Sequence, residues 1–267
     1  MTTSQFSDNV DDGAMNKGSK SALATENLTK KFGTLTAVND VSLRIPAGQI
    51  TSIIGPNGAG KTTLFNLFTG KYEPTSGSIK FRDERIDGEE SHTLVERGLV
   101  RSFQITNFFA DLTALENVRL AAQAQHTGFG PRDLLKHHSD LTEVTENARR
   151  VLERVHLSDV ADKKASNLSY GQRRHLEIGI SLAADPDLFL MDEPTAGMSP
   201  EETRETVSLI EEIASDITLV LIEHDMHIVM GISDNIAVMN EGEVLAWGTP
   251  EEIRNNERVQ KAYLGSE

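Results

Sequence analysis

Eight residues, Gly55-Pro56-Asn57-Gly58-Ala59-Gly60-Lys61-Thr62, constrain this chain more than any others. They match G-x-x-x-x-G-K-[ST], a pattern whose chemistry requires a strand before it and a helix after it. Both flanks comply: Gln49–Ile54 (QITSII) reads as a strand and Thr62–Thr69 (TTLFNLFT) as the first turns of a helix. Three glycines let the backbone curl until successive N–H groups face an anion that side chains would obstruct. The opening helix adds unpaired N–H groups and a dipole that favours negative charge. Gly55, Pro56, Asn57, Gly58, Ala59, Gly60, Lys61, Thr62 and Thr63 are the expected phosphate cradle. Lys61 is expected to reach the β- and γ-phosphates, and the Thr62 hydroxyl to complete a Mg²⁺ shell. A glycine-rich turn without a ligand is the alternative, and the two flanks argue against it. The expected ligand is a nucleoside triphosphate.

With 267 residues the chain suits one large α/β domain, or one with a helical insertion. Its 26 basic against 41 acidic residues leave a net charge of −15, which disfavours a nucleic-acid surface built on clustered Lys and Arg. That acidity fits a saline cytoplasm and plain solubility equally well. The absence of Cys removes disulfides and thiolate metal sites together. No apolar run approaches the roughly 18 residues that cross a bilayer. Residues 1–20 are polar and lack a signal core, so they are expected to form a disordered leader before a single domain over 21–267.

Leu23–Phe32 and Val38–Ile45 read as strands around Gly33-Thr34, and Pro46-Ala47-Gly48 turns the chain into the phosphate-loop strand. A short strand at Ser78–Phe81, a brief helix at Thr93–Arg97 and a buried strand at Leu99–Phe103 follow. From Thr113 to Leu157 the pattern becomes helical: Leu115, Val118, Leu120 and Ala121 make a fair face. Leu141, Val144, Ala148, Val151, Leu152 and Val155 make a better one, with His126–Asp140 between as a loop or broken helix. After residue 168 helices (Gln172–Ala184, Pro200–Ala214, Met226–Ile232) alternate with strands (Leu188–Met191, Thr218–Ile222). Ile236–Met239 and Glu243–Trp247 read as a closing hairpin. The class is therefore α/β, with a mainly parallel sheet covered on both faces and a helical block inserted into it.

Leu188-Phe189-Leu190-Met191-Asp192-Glu193 ends a buried strand in two carboxylates. Ligands of parallel sheets sit at strand carboxyl ends, where Asp192 can hold Mg²⁺ and Glu193 can lie beside the γ-phosphate. Leu168-Ser169-Tyr170-Gly171-Gln172 precedes an amphipathic helix, with a plain serine N-cap as its bland reading. With these motifs in order, the chain resembles the ATP-binding cassette (ABC) ATPases, the nucleotide-binding subunits of ABC transporters. Their signature is usually L-S-G-G-Q, and Tyr170 stands where the first Gly would be. The resemblance covers about Leu23 to Leu264. It implies a P-loop NTPase core, an N-terminal antiparallel β subdomain and an inserted α-helical signature subdomain at about 105–184.

The resemblance also assigns roles. Phe32 matches the aromatic residue that stacks on adenine, with a core strand position as the alternative. Gln104 of Arg101-Ser102-Phe103-Gln104 matches the glutamine that senses Mg²⁺ and the membrane partner, and His224 the switch histidine that contacts the γ-phosphate. Glu193, His224, Lys61 and Gln104 would be catalytic, and Thr62, Gln104 and Asp192 would hold the metal. Ser169, Gly171 and Gln172 would close over the ATP of a second cassette, identical or similar to this one. His224 with His227 has metal-like spacing but lacks a third ligand, and the other histidines read as structural. Ser199 stands where the family often has an Asp that couples the two sites, so communication between them is expected to differ.

Several strings are most similar to the ATPases of branched-chain amino-acid importers: Arg101–Gln104, Leu168–Gln172, Glu223-His224-Asp225-Met226 and Gly248–Ile253 with Ala262–Gly265. The implied partners are membrane permease subunits and, indirectly, an extracytoplasmic substrate-binding protein, with no nucleic acid. The implied place is peripheral, on the cytoplasmic face of the cell membrane. Ile105–Phe109 offers apolar groups for permease docking or for core packing. Urea-importer and lipopolysaccharide-exporter ATPases are alternatives, as is a soluble cassette ATPase acting on nucleic acid or ribosomes. A P-loop kinase or GTPase leaves the signature and His224 without a role.

Overall fold

Leu188–Met191 and Thr218–Ile222 carry no outward polar position, so they require a sheet covered on both faces. A computed structural model of the chain, describing residues 20–102, 108–126 and 138–264, places them in one. The chain runs β1 (Ser21–Phe32), β2 (Leu35–Pro46), β3 (Ile50–Ile54), α1 (Lys61–Phe68), β4 (Ser76–Phe81), β5 (Glu84–Arg85), α2 (Ser91–Glu96) and β6 (Leu99–Arg101). Then come α3 (Ala114–His126), α4 (His138–Arg154), α5 (Tyr170–Leu182), β7 (Leu188–Asp192), α6 (Pro200–Ala214), β8 (Thr218–Ile222) and α7 (Met226–Ile232). The last elements are β9 (Asn235–Asn240), β10 (Glu243–Gly248), α8 (Pro250–Arg254) and α9 (Glu257–Leu264).

The main sheet is ordered β10-β9-β3-β8-β7-β6 and is parallel except for the β9–β10 hairpin. A second, antiparallel sheet is ordered β2-β1-β4-β5. Every residue of β3, β7 and β8 is buried. The pleat divides them between two cores. Phe189, Met191, Leu219 and Leu221 join the helical face with Val118, Leu152 and Leu176. Leu188, Leu190, Val220 and Ile222 face Leu64 and Phe65 of α1 and Leu23 and Leu28 of β1. The register pairs Ile53 with Ile222, and Ile222 with Asp192. The segments following β3, β7 and β8 therefore emerge side by side at one end of the sheet.

On α4, Val144, Ala148, Val151 and Leu152 are buried as the stripe requires, as is Val155 just beyond its end. The α3 face is rotated from the expected one: Ala114, Val118 and Ala122, four residues apart, are buried, while Leu120 is 37% exposed. His138–Asp140 begin α4 rather than ending a loop. Helix α5 starts at Tyr170, two residues before the expected start, because Ser169 caps it. Helices α8 and α9 were not anticipated, although Thr249 and Glu252 form a capping box with Pro250 in the first turn.

Leu152→Ala should destabilise the protein by about 2–5 kcal/mol in denaturant unfolding, as expected for a buried leucine truncation. Leu120→Ala should stay within about 0.5 kcal/mol. Equal losses would contradict the observed face of α3.

Candidate functional site

The loop between β3 and α1 makes two close backbone approaches. Gly55 (φ +151°) and Gly60 (φ +98°) would each drive a Cβ into a carbonyl oxygen, that of Met239 and Ala37 respectively. Glycine is required there on both steric and conformational grounds. Helix α1 has no side-chain cap at its start. Lys61 is 6% exposed, and its Nζ donates to the carbonyl oxygens of Gly55 (2.6 Å) and Pro56 (3.0 Å). Burial lowers its pKa from the ordinary lysine value, opposed by the nearby charges of Glu193 and Asp192. No carboxylate among the described residues forms an ion pair with it. A nearly buried cation bonded only to neutral carbonyls, beneath a glycine loop that admits close approach, fits a polyphosphate.

At the ends of β7 and β8 the carboxylates are held differently. Asp192 is 2% exposed, and Arg101 Nη2 donates to its Oδ2 (2.6 Å) while Nη1 donates to Asn66 Oδ1 (2.6 Å). Carboxylate and hydroxyl oxygens, here Asp192 and Thr62, are the donors Mg²⁺ prefers. Glu193 adopts a left-handed backbone (φ +48°), and its Oε1 lies 2.8 Å from His224 Nε2. An ionised carboxylate only accepts, so the imidazole donates from Nε2. Glu223, 4% exposed, accepts from Thr195 N–H (3.1 Å) and Thr195 Oγ1–H (2.7 Å) with one oxygen and from His224 N–H (3.1 Å) with the other. It ties the segment after β7 to the one after β8.

Phe32 is 43% exposed, so it is not a core residue; its ring meets Tyr72 edge-on at 5.3 Å. Ser169 and Gln172 form a reciprocal capping box, so the plain N-cap reading of Ser169 holds structurally. Gly171 N–H donates to Glu202 Oε1 (3.0 Å), and Tyr170 Oη to the Ala196 carbonyl (2.9 Å). Among the described residues no hydrogen bond joins 169–172 to 55–63. Ser199 caps α6 together with Glu202. Phe103, Gln104 and Ile105–Asn107 lie outside the described residues, whereas Phe108 packs on the helical core and Phe109 is 63% exposed.

The family model described as ABC transporter matches residues 38–196. LivG of Escherichia coli K12, a "high-affinity branched-chain amino acid transport ATP-binding protein", is 46% identical over 92% of this chain and 99% of its own. The chain belongs to the ABC transporter ATPase family. A further family model, "Branched-chain amino acid ATP-binding cassette transporter", matches residues 243–267 of this cassette. The solved ADP conformation of the ATP-binding cassette MJ1267 superposes with a TM-score of 0.80 at 33% identity, covering 92% of this cassette and 99% of that chain. The cassette MJ0796, solved as a dimer bound to ADP and Pi, reaches 0.71 at 26% identity over 85% and 98%.

The cassette brings together Lys61, Asp192, Glu193 and His224, and holds Ser169–Gln172 apart with Ala196 and Glu202. Sequence reasoning missed Tyr72, Arg101, Arg174, Glu202 and Glu223. Glu223, a charge directly after a buried strand and beside His224, carried a local signal, and so did Glu202, three residues after the Ser199 cap. Glu223→Gln should cost about 1–3 kcal/mol in denaturant unfolding, because an amide nitrogen must face one of the buried donors. A stability unchanged by this substitution would show that the buried carboxylate does not tie the two segments.

Proposed function

We propose that this cassette hydrolyses ATP in a two-cassette assembly and so powers uptake of branched-chain amino acids through separate permease subunits. The observation that carries the hydrolytic part is the 2.8 Å contact between Glu193 and His224 beside the buried Lys61. The transport role named for LivG supports the substrate, as does the match of the C-terminal residues. Among the described residues no helix is long and apolar enough to cross a membrane, so the membrane path falls to other subunits. The cassette would act at the cytoplasmic face, with exposed Phe109 available to a permease.

In this reading Lys61 and the loop amides neutralise the triphosphate, and Phe32 stacks its exposed ring on adenine. Mg²⁺, held by Asp192, the Thr62 hydroxyl and Gln104, would screen phosphate charge when bound. Glu193 accepts a hydrogen bond from the attacking water and then its proton, as the water oxygen bonds to the γ-phosphorus and the bond from that phosphorus to the bridging oxygen breaks, leaving ADP and inorganic phosphate. His224 turns its Nε2–H from Glu193 toward the γ-phosphate. The helical part of the cassette, about 105–184, presents Ser169, Gly171 and Gln172 to the nucleotide of the second cassette. Gly171 N–H would then exchange the Glu202 carboxylate for a phosphate oxygen, one anion for another. Two-fold symmetry makes both sites equivalent if the partners are identical.

Glu193→Gln should lower ATP turnover about 10²–10⁴-fold while retaining ATP binding, giving an ATP-dependent dimer in gel filtration. Near wild-type turnover would remove Glu193 from its role. Vesicles carrying the cassette with its membrane subunits and binding protein should accumulate labelled leucine, isoleucine or valine on ATP addition; uptake of urea alone would redirect the substrate.

A further inference from the structure

Where β7 ends, three successive carbonyl groups converge on one side chain from another element. Arg174 of α5 donates from Nε to the Pro194 carbonyl (3.0 Å) and from Nη2 to those of Asp192 (3.1 Å) and Glu193 (2.6 Å). Its remaining terminal nitrogen donates to Glu177 (2.9 Å), and both side chains are largely buried, at 16% and 12% exposure. The planar guanidinium is the one side chain whose fixed fork can span such a run of acceptors. The backbone it grips needs holding, since Glu193 sits in the left-handed region where residues other than glycine are strained.

We propose that Arg174 is a positioning residue for ATP hydrolysis: by clamping the carbonyls of residues 192–194 it sets the direction in which Glu193 projects. The inference rests on the hydrolytic reading of Glu193 given above. Glu193 and Thr195 are neighbours in this clamp, because Glu223 grips the Thr195 N–H and hydroxyl. A cation on the carbonyls and an anion on the donors thus fix a turn that also carries the Ala196 N–H to Glu193 carbonyl bond (3.2 Å). Arg174 lies just past the first turn of α5, the helix whose N-terminus bears Ser169, Gly171 and Gln172. Tyr170 of the same helix bonds the Ala196 carbonyl. A shift of α5 when its N-terminus meets the other cassette's nucleotide is therefore felt directly at this chain's own Glu193. That connection runs through Arg174 and needs no charge at position 199, where serine stands.

The test is Arg174→Lys in the full chain, co-purified with its membrane subunits. Lysine keeps a charge opposite Glu177, but a single ammonium cannot span three carbonyls. kcat for ATP should fall on the order of tenfold, as for a catalytic group displaced by a fraction of an ångström. KM for ATP should stay within about twofold, because the nucleotide's own contacts are unchanged. In a Glu193→Gln background, Arg174→Lys should leave the residual single-turnover rate and the ATP-dependent dimer as they are in Glu193→Gln alone. An unchanged kcat in Arg174→Lys beside an inactive Glu193→Gln overturns the inference and leaves the hydrolytic reading standing. A further loss of rate in the double variant, or loss of its dimer, overturns it too, because Arg174 would then act on the fold at large. Normal turnover by Glu193→Gln overturns both readings.

Discussion

A lysine ammonium shut away from water and bonded, among the described residues, only to neutral carbonyls is the constraint around which this end of the sheet is organised. Lys61 loses hydration on folding and gains two carbonyl bonds, at Gly55 and Pro56, that cannot replace it fully. Desolvation pulls its pKa down, and the charges of Asp192 and Glu193 oppose that shift. The glycines that let the loop fold over the ammonium also press the backbone against Met239 and Ala37. Loop, cation and the ends of β7 and β8 are therefore one unit. A polyphosphate, as proposed, would give the ammonium the charged partner that the two carbonyls are not.

Around that unit the carboxylates are sorted by what holds them. Asp192 is locked by Arg101, and Glu223 is saturated by backbone and hydroxyl donors. Glu193 is more exposed, and among the described residues its side chain hydrogen-bonds only His224. The carboxylate with the most accepting capacity left is the one proposed to meet the attacking water. Its neighbours are immobilised by groups of opposite sign, with Arg174 on the carbonyls and Glu223 on the donors. The signature residues are also occupied, by the cap of α5 and by Glu202, so the proposed engagement with a second cassette would exchange existing contacts for new ones.

Much of this was legible along the chain. The phosphate loop, its strand and its helix are local, and so is the all-apolar run of Leu188–Met191 that ends in Asp192. The stripe predicted the burial of Val144, Ala148, Val151 and Leu152 on α4, and of Val155 just after it. On α3 the larger Leu120 outweighed the alanines in the pattern, yet small Ala114 and Ala122 are the residues that allow close packing. The capping box of α8 is local too, written in Thr249–Glu252. Phe32 could be read as a core strand residue from the sequence, and its exposure rules that out.

The amino-acid sequence by itself determined the periodicities, the caps and the loop, because each depends on hydrogen bonds and side-chain directions among near neighbours. It thereby determined the α/β class and the family. Only the tertiary structure decided which charges meet: Arg101 with Asp192, 91 residues apart, and Glu223 with Thr195, 28 apart. Those pairings follow from the register of β3, β8 and β7 and from how α5 seats on the core. Register is set by the summed burial of many apolar residues on both faces of the sheet, a quantity that no single stretch of chain contains.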